Sequence, residues 1–179
     1  MKLLRTIRLD ASDTFIFESA AEPCEWAVSG AFVFWNSDPS TLEGKARSAF
    51  RGGFLGVASF GWSTLVQIVE ADAAERAALV EALAQRLLDE FGAPDRQAAR
   101  TAAEDEVTFV ESLCNQPQDT LIAVHRSYED GAVREAFRTL RPREGAKPAR
   151  AFSFMDVEGE DEEPGDAVDL VSMAGRERK

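Results

Sequence analysis

The apolar positions of this chain change period at residue 71. Over 61–70 the run Gly61-Trp62-Ser63-Thr64-Leu65-Val66-Gln67-Ile68-Val69-Glu70 has the aromatic and β-branched content of a well-buried strand. Beyond it Leu79, Val80, Leu83, Leu87 and Phe91 recur at the spacing of one buried helical face. Asp72 followed three residues later by Glu75 is the pattern of a capping box, and Gly92 with Pro94 supplies the stop. A second helix is predicted over 95–114, with Ala99, Ala103, Val107, Val110 and Cys114 as its buried stripe opposite Arg96, Arg100, Glu104 and Glu111. So short a join makes the two helices antiparallel neighbours. The strand predicted over 120–128 then returns antiparallel to 61–70.

On either side of this unit the pattern is shorter-ranged. Residues 3–9 and 14–19 read as strands joined by the turn formers Asp10-Ala11-Ser12-Asp13, and the succession Phe15, Ile16, Phe17 implies a strand covered on both faces. Residues 25–35 read as one bent strand or a hairpin, with the bend at Ser29-Gly30. A helix is predicted from the Asp38 cap and Pro39 through Leu42, Ala46, Ala49 and Phe50, ended by Gly52-Gly53. An apolar loop over 54–60 leads into the strand at 61–70. Asp130-Gly131 suits a tight hairpin, yet Val133, Ala136, Phe137 and Leu140 fit helical spacing, and the reading favours a short helix over 132–140. A last edge strand is expected over 152–157. The predicted fold class is α+β: a largely antiparallel sheet with two long antiparallel helices packed on one face. It forms a single domain over 1–157, followed by a disordered acidic tail over 158–179.

Charge separates the body from that tail. Of the protein's net charge of -12, residues 156–179 contribute -6, from nine acids and three bases. Such a segment buries too little apolar surface to offset its ordering entropy. Inside it Val168, Leu170, Val171 and Met173 form a small apolar island, a candidate partner-binding element. The overall acidity argues against nucleic-acid binding, which needs clustered Lys and Arg. No apolar run approaches the roughly 20 residues of a membrane span. Arg5 and Arg8 interrupt the stretch where a signal peptide would be apolar, and Cys24 and Cys114 lie 90 positions apart with no paired-cysteine motif. A reducing cytoplasm is the expected setting.

Candidate chemistry is sparse. His125 is the single histidine, with no cysteine pair at ligand spacing, so no metal and no cofactor is expected. Cys114 and His125 do not read as a thiolate–imidazole pair, because Cys114 falls on the apolar stripe near a helix C-terminus, where the dipole disfavours a thiolate. Gly52, Gly53, Gly56 and Gly61 follow a helix and match no phosphate-loop spacing; they read as a turn packed under aromatics. No catalytic residue is named. Ten of the sixteen Phe, Trp and Tyr residues fall between Phe15 and Trp62. Core packing accounts for most of them, and Trp26, Trp35 and Trp62 with His125 are the candidate ligand-binding residues.

Leu3-Leu4-Arg5-Thr6-Ile7-Arg8-Leu9-Asp10, Gly53-Phe54-Leu55-Gly56, Gly61-Trp62-Ser63-Thr64-Leu65-Val66-Gln67 and Phe152-Ser153-Phe154-Met155 resemble an uncharacterised family of small proteobacterial proteins. The resemblance covers nearly the whole body and implies a bacterial cytoplasmic setting, with no activity and no site residues. The functional expectation is a non-enzymatic binding or accessory module acting on a protein partner, which includes a second copy of this chain. The alternative is a small-ligand enzyme or binder using an aromatic-lined pocket near Trp35 and Trp62.

Overall fold

The structure, a computed structural model, describes residues 1–141 and 156–158. Eight strands form one sheet: β1 (Lys2–Ile7), β2 (Trp26–Val28), β3 (Phe54–Gly56), β4 (Trp62–Ser63), β5 (Leu65–Glu70), β6 (Leu121–Glu129), β7 (Ala132–Arg141) and β8 (Asp156–Glu158). They lie in the order β4-β3-β2-β1-β5-β6-β7-β8, and every neighbouring pair is antiparallel. The helices are α1 (Ser12–Ile16), α2 (Gly44–Gly52), α3 (Ala73–Glu90) and α4 (Arg96–Leu113), with 3-10 turns at Ala31–Phe34 and Pro39–Thr41. The fold is α+β, as the sequence pattern predicts.

The predicted helical hairpin forms because its local signals agree. Asp72 accepts from the Glu75 N–H at 2.8 Å while Glu75 accepts from the Asp72 N–H at 3.0 Å, so two N–H groups left over by the first turn are satisfied. Asp95 caps α4 by accepting from the Ala98 N–H at 2.8 Å. Arg76 meets Glu111 at 3.1 Å, and Glu81 meets Arg96 at 3.1 Å and Arg100 at 3.3 Å, which fixes the helices antiparallel. The stripe Ala99, Ala103, Val107, Val110 and Cys114 is buried, as are Leu79, Val80, Leu83 and Leu87. Helix α4 lies over β1 and β2, and α3 packs along α4.

The sheet is strongly curled. Four strands separate β3 from β7, yet the rings of Phe54 and Phe137 approach to 6.1 Å between centroids. Residues opposite each other across a ladder share a face, and faces alternate along a strand. Leu4, Ala27, Ile68, Val66, Ile122, Val124 and Phe137 therefore line the same inner surface. Arg126 continues that series.

Several expected elements differ. Residues 14–19 do not form a strand: Asp10 accepts the Ser12 N–H at 2.8 Å and Thr14 donates to Ala11 O at 2.6 Å, local bonds that wind α1 instead. Phe15 is consequently 76% exposed and Ile16 is exposed, while Phe17 alone enters the core. The strand at 61–70 is split at Thr64, whose N–H turns away to buried Asp13 at 3.2 Å. Residues 54–56 pair as β3, not as a loop. Only Trp26–Val28 is strand in the 25–35 segment; Gly30, with φ of 78°, redirects the chain into the 3-10 turn Ala31–Phe34. The helix expected from Asp38 begins as a 3-10 turn, breaks at Leu42 and Glu43, which are extended, and resumes as α2.

The largest correction is β7. Asp130 and Gly131 have φ of 53° and 78°, the doubly left-handed turn that matches strand twist, and Leu121–Glu129 pairs with the returning strand from Ala132 to Leu140. Ladder pairing overrides the helical spacing of Val133, Ala136, Phe137 and Leu140. Of the expected edge strand, Asp156–Glu158 pairs with β7; residues 152–155, and the tail at 159–179, lie outside the described residues.

Candidate binding cleft

An open cleft of about 910 Å³ runs between the 3-10 turn Ala31–Phe34, the C-terminal end of α3 and the first turns of α4. Its shape follows from residue size. Helix α4 lines the cleft with Ala98, Ala102, Asp105 and Glu106; Ala98 and Ala102, one turn apart, have short side chains that leave space between the helix and the 3-10 turn. Gly92, with φ of 68°, stops α3, and the Ala93 N–H folds back to Leu87 O at 3.2 Å, turning the chain at the cleft's end. Leu83 and Leu87 form its inner apolar surface. Phe32 and Phe91 meet edge to face at 5.3 Å, and Phe60 stands 5.7 Å behind Phe91. Trp35 stands at the mouth with 85% of its surface exposed.

The polar wall is acidic. Glu90, Asp105 and Glu106 line the cleft, and no lysine, arginine, histidine, cysteine, serine or threonine does so among the described residues. Glu90 is paired with Arg86 one helical turn back. Glu106 reaches inward to accept the Gly30 N–H at 3.1 Å. Burial raises the Glu106 carboxyl above its ordinary range and the charge of Glu135 adds to this, while the Gly30 N–H and Arg126 oppose it.

Behind Glu106 lies a buried polar centre built on Arg126, which is fully buried. Its Nε donates to Glu135 at 2.6 Å, its Nη1 to Phe50 O at 3.1 Å and Gly53 O at 2.7 Å, and its Nη2 to Ser29 O and to Ser29 Oγ, the latter at 3.0 Å. Ser29 Oγ in turn donates to Glu135 at 2.6 Å. Burial lowers the Arg126 pKa, offset by Glu135 and Glu106. One guanidinium thus ties β6 and β7 to the end of β2 and the C-terminus of α2. Ser29 precedes Gly30 and the 3-10 turn, so this tie also holds one wall of the cleft.

Of the residues singled out from sequence, Trp35 alone lines the cleft. Trp62 is 9% exposed and stacks on Phe34 at 5.3 Å in the core. A Cβ on Gly53 would lie 2.7 Å from the Trp62 ring, which bears out the reading of that glycine as backbone packed under an aromatic. Trp26 is half-buried beneath the Arg5 guanidinium, 4.0 Å from its ring centroid. His125 is exposed on β6 opposite Ala136. The four do not converge. Val168, Leu170, Val171 and Met173 lie outside the described residues. Cys114 is buried, its thiol pushed up to about 12 mainly by burial, and Cys24 is exposed; both are free. Among the described residues no group of three or more His, Cys, Asp or Glu side chains is placed to hold a metal ion, and no helix is long and apolar enough to cross a membrane.

Arg126, Glu135, Ser29 and Glu106 escaped the sequence reading. The signal was present in Arg126, which follows Ile122 and Val124 on the apolar parity of β6. With a hairpin at Asp130-Gly131, counting outward from the turn pairs Arg126 with Glu135.

Fold and cleft define an α+β protein whose curled antiparallel sheet carries a helical hairpin bordering an apolar, acid-walled groove. The chain belongs to DUF6505, a family of unknown function, whose model matches residues 1–155. No curated protein and no solved structure matches it.

Proposed function

We propose that this protein is a non-enzymatic binding module that seats an apolar segment of a partner protein in the cleft beside Trp35. The observation that carries this reading is the cleft itself: an open apolar groove between a helical hairpin and a 3-10 turn, with an exposed tryptophan at its mouth. Docking of an apolar helix face or extended segment into such a groove is a recurrent recognition mode, and tryptophan is over-represented among the residues that dominate binding energy. The family model matches residues 1–155, which include every residue that lines the cleft. The proposed setting is a bacterial cytoplasm, in keeping with two free cysteines.

Selection from a displayed random-peptide library tests the reading. Ala102→Leu fills the groove from an exposed, helix-compatible position, and Trp35→Ala removes the anchor. Peptides selected on the natural protein should lose about tenfold or more in affinity for either variant and keep their affinity for Phe15→Ala, an exposed residue of α1 that does not line the cleft. Peptides indifferent to both changes would refute the cleft as the binding element. The volume of about 910 Å³ also lies within the range of small-molecule clefts, so fragment binding abolished by Ala102→Leu, with no peptide selected, would favour a small-ligand binder.

A further inference from the structure

We infer that the cleft selects a partner segment carrying a lysine or arginine beside its apolar anchors, with the cation seated against Glu106 and Asp105. This rests on the cleft being a peptide-binding groove. In the polar centre Arg126 and Glu135 form a close pair at 2.6 Å, so their charges offset each other. Glu106 is then the surplus carboxylate. Its backbone partners, the Gly30 N–H at 3.1 Å and the Ser29 N–H, are neutral dipoles and supply no cation. At the rim Glu90 is matched by Arg86, whereas Asp105 stands beside Glu106 in the wall with no basic residue lining the cleft among those described.

A partner that covers this groove removes water from both carboxylates. Desolvating an ionised group without a compensating charge is costly, and an acidic segment would add repulsion to that cost. A neutral apolar segment leaves that cost uncompensated. A segment with an ammonium or guanidinium near its apolar anchors removes the penalty and gains a charge-assisted hydrogen bond. The aromatic lining serves the same occupant, because the face of Trp35 at the mouth attracts a cation and covers the aliphatic stem of a lysine or arginine. Apolar surface supplies affinity and the two carboxylates supply the choice of partner.

Three synthetic amphipathic peptides with one leucine pattern, and lysine, glutamine or glutamate at the polar positions, test this on the full chain by fluorescence anisotropy. The lysine peptide should bind on the order of tenfold or more tighter than the glutamine peptide, and the glutamate peptide weakest. Glu106→Gln keeps an acceptor for the Gly30 N–H; with Asp105→Asn it should erase most of the lysine preference while leaving the glutamine peptide's affinity unchanged or improved. Equal binding of the lysine and glutamine peptides, both abolished by Ala102→Leu, would overturn the charge inference and leave the groove reading standing. Charge alone can also draw a lysine peptide to acidic residues elsewhere in a protein of net charge -12. Lysine-peptide binding that Ala102→Leu does not weaken is that outcome, and it would overturn both readings. Binding of the small cation phenethylamine, blocked by Ala102→Leu, with none of the peptides bound, would assign the groove to a small organic cation and overturn the protein-segment inference.

Discussion

Arg126→Met isolates the main structural claim, that one buried guanidinium holds the curled sheet to the wall of the cleft. Methionine keeps the length and apolar stem and removes every donor. The loss has two parts. Glu135, which is half-buried, loses its cation, and breaking a buried ion pair in this way costs about 3–5 kcal/mol, the lower figure applying here because Glu135 is partly solvated. The carbonyls of Ser29, Phe50 and Gly53 also lose their donors, at about 1–3 kcal/mol for each that water does not reach. A total near 5 kcal/mol is expected, a lowering of Tm by about 10–20 °C in a chain of this size. Urea unfolding followed by circular dichroism gives the value. The double variant Arg126→Met with Glu135→Leu separates the two parts. Replacing both members of an ordinary buried pair by apolar residues is often neutral. Here the three carbonyls stay orphaned, so the double variant should remain about 2 kcal/mol or more below the natural protein. A double variant within about 0.5 kcal/mol of the natural protein would refute the carbonyl-anchoring role and reduce Arg126 to one half of an ion pair.

Gly30→Ala should destabilise by more than the roughly 1–2 kcal/mol of a left-handed residue, because its Cβ would lie 2.6 Å from the Leu55 Cβ, which cannot swing aside; a urea midpoint equal to that of the natural protein would count against the turn at Gly30. With a thiol reagent the native protein should show one fast-reacting group, exposed Cys24, and a second only on unfolding, since Cys114 is buried with its pKa pushed up to about 12; two fast groups would contradict the packing of α4.

Legibility in the sequence followed the range of the interactions. The helices α3 and α4 were readable to within a residue because capping, stripe and stop signals all lie inside one segment: Asp72 with Glu75, Asp95, and Gly92. The segment at 12–16 was misread because its helix depends on Asp10 and Thr14 bonding to nearby backbone, and the strand at 61–70 because Asp13, distant in sequence, takes the Thr64 N–H. Residues 132–140 carry a helical period that ladder pairing overrode. The cleft was half legible. Trp35 stood out, but the space of the groove depends on Ala98 and Ala102, which look like any small helical residue until a 3-10 turn is placed opposite them. Trp62 is as conspicuous in composition as Trp35; only the curl of the sheet and the bare backbone at Gly53 send it into the core.

The pH dependence of stability around Glu106 gives the last prediction. Its carboxyl is raised in the folded protein above the ordinary value of 4.5, chiefly by burial. The charged groups facing it are Glu135 from β7, which adds to the shift, and Arg126 from β6, which opposes it; Asp105 neighbours it on α4. Between the unfolded and folded pKa values the folded state holds a proton that the unfolded chain has released. Stability from this group is therefore fully present below about pH 4.5 and is lost as pH rises through the folded pKa. Glu106→Gln cannot ionise, so the stability of that variant minus that of the natural protein should climb as pH is raised above about 4.5 and level off beyond the folded pKa. Other carboxylates do not mimic the effect. Asp10 and Asp38, lowered by their bonds to Ser12 and Ser40, titrate in both proteins alike and cancel in the difference. Urea unfolding of the pair at four or five pH values measures it. A difference that is flat, or that falls as pH rises, would mean that Arg126 and the Gly30 N–H outweigh burial and that Glu106 is a stabilised anion. The surplus charge argued for the cleft wall would then already be matched within the fold, and the wall would carry no preference for a cationic partner.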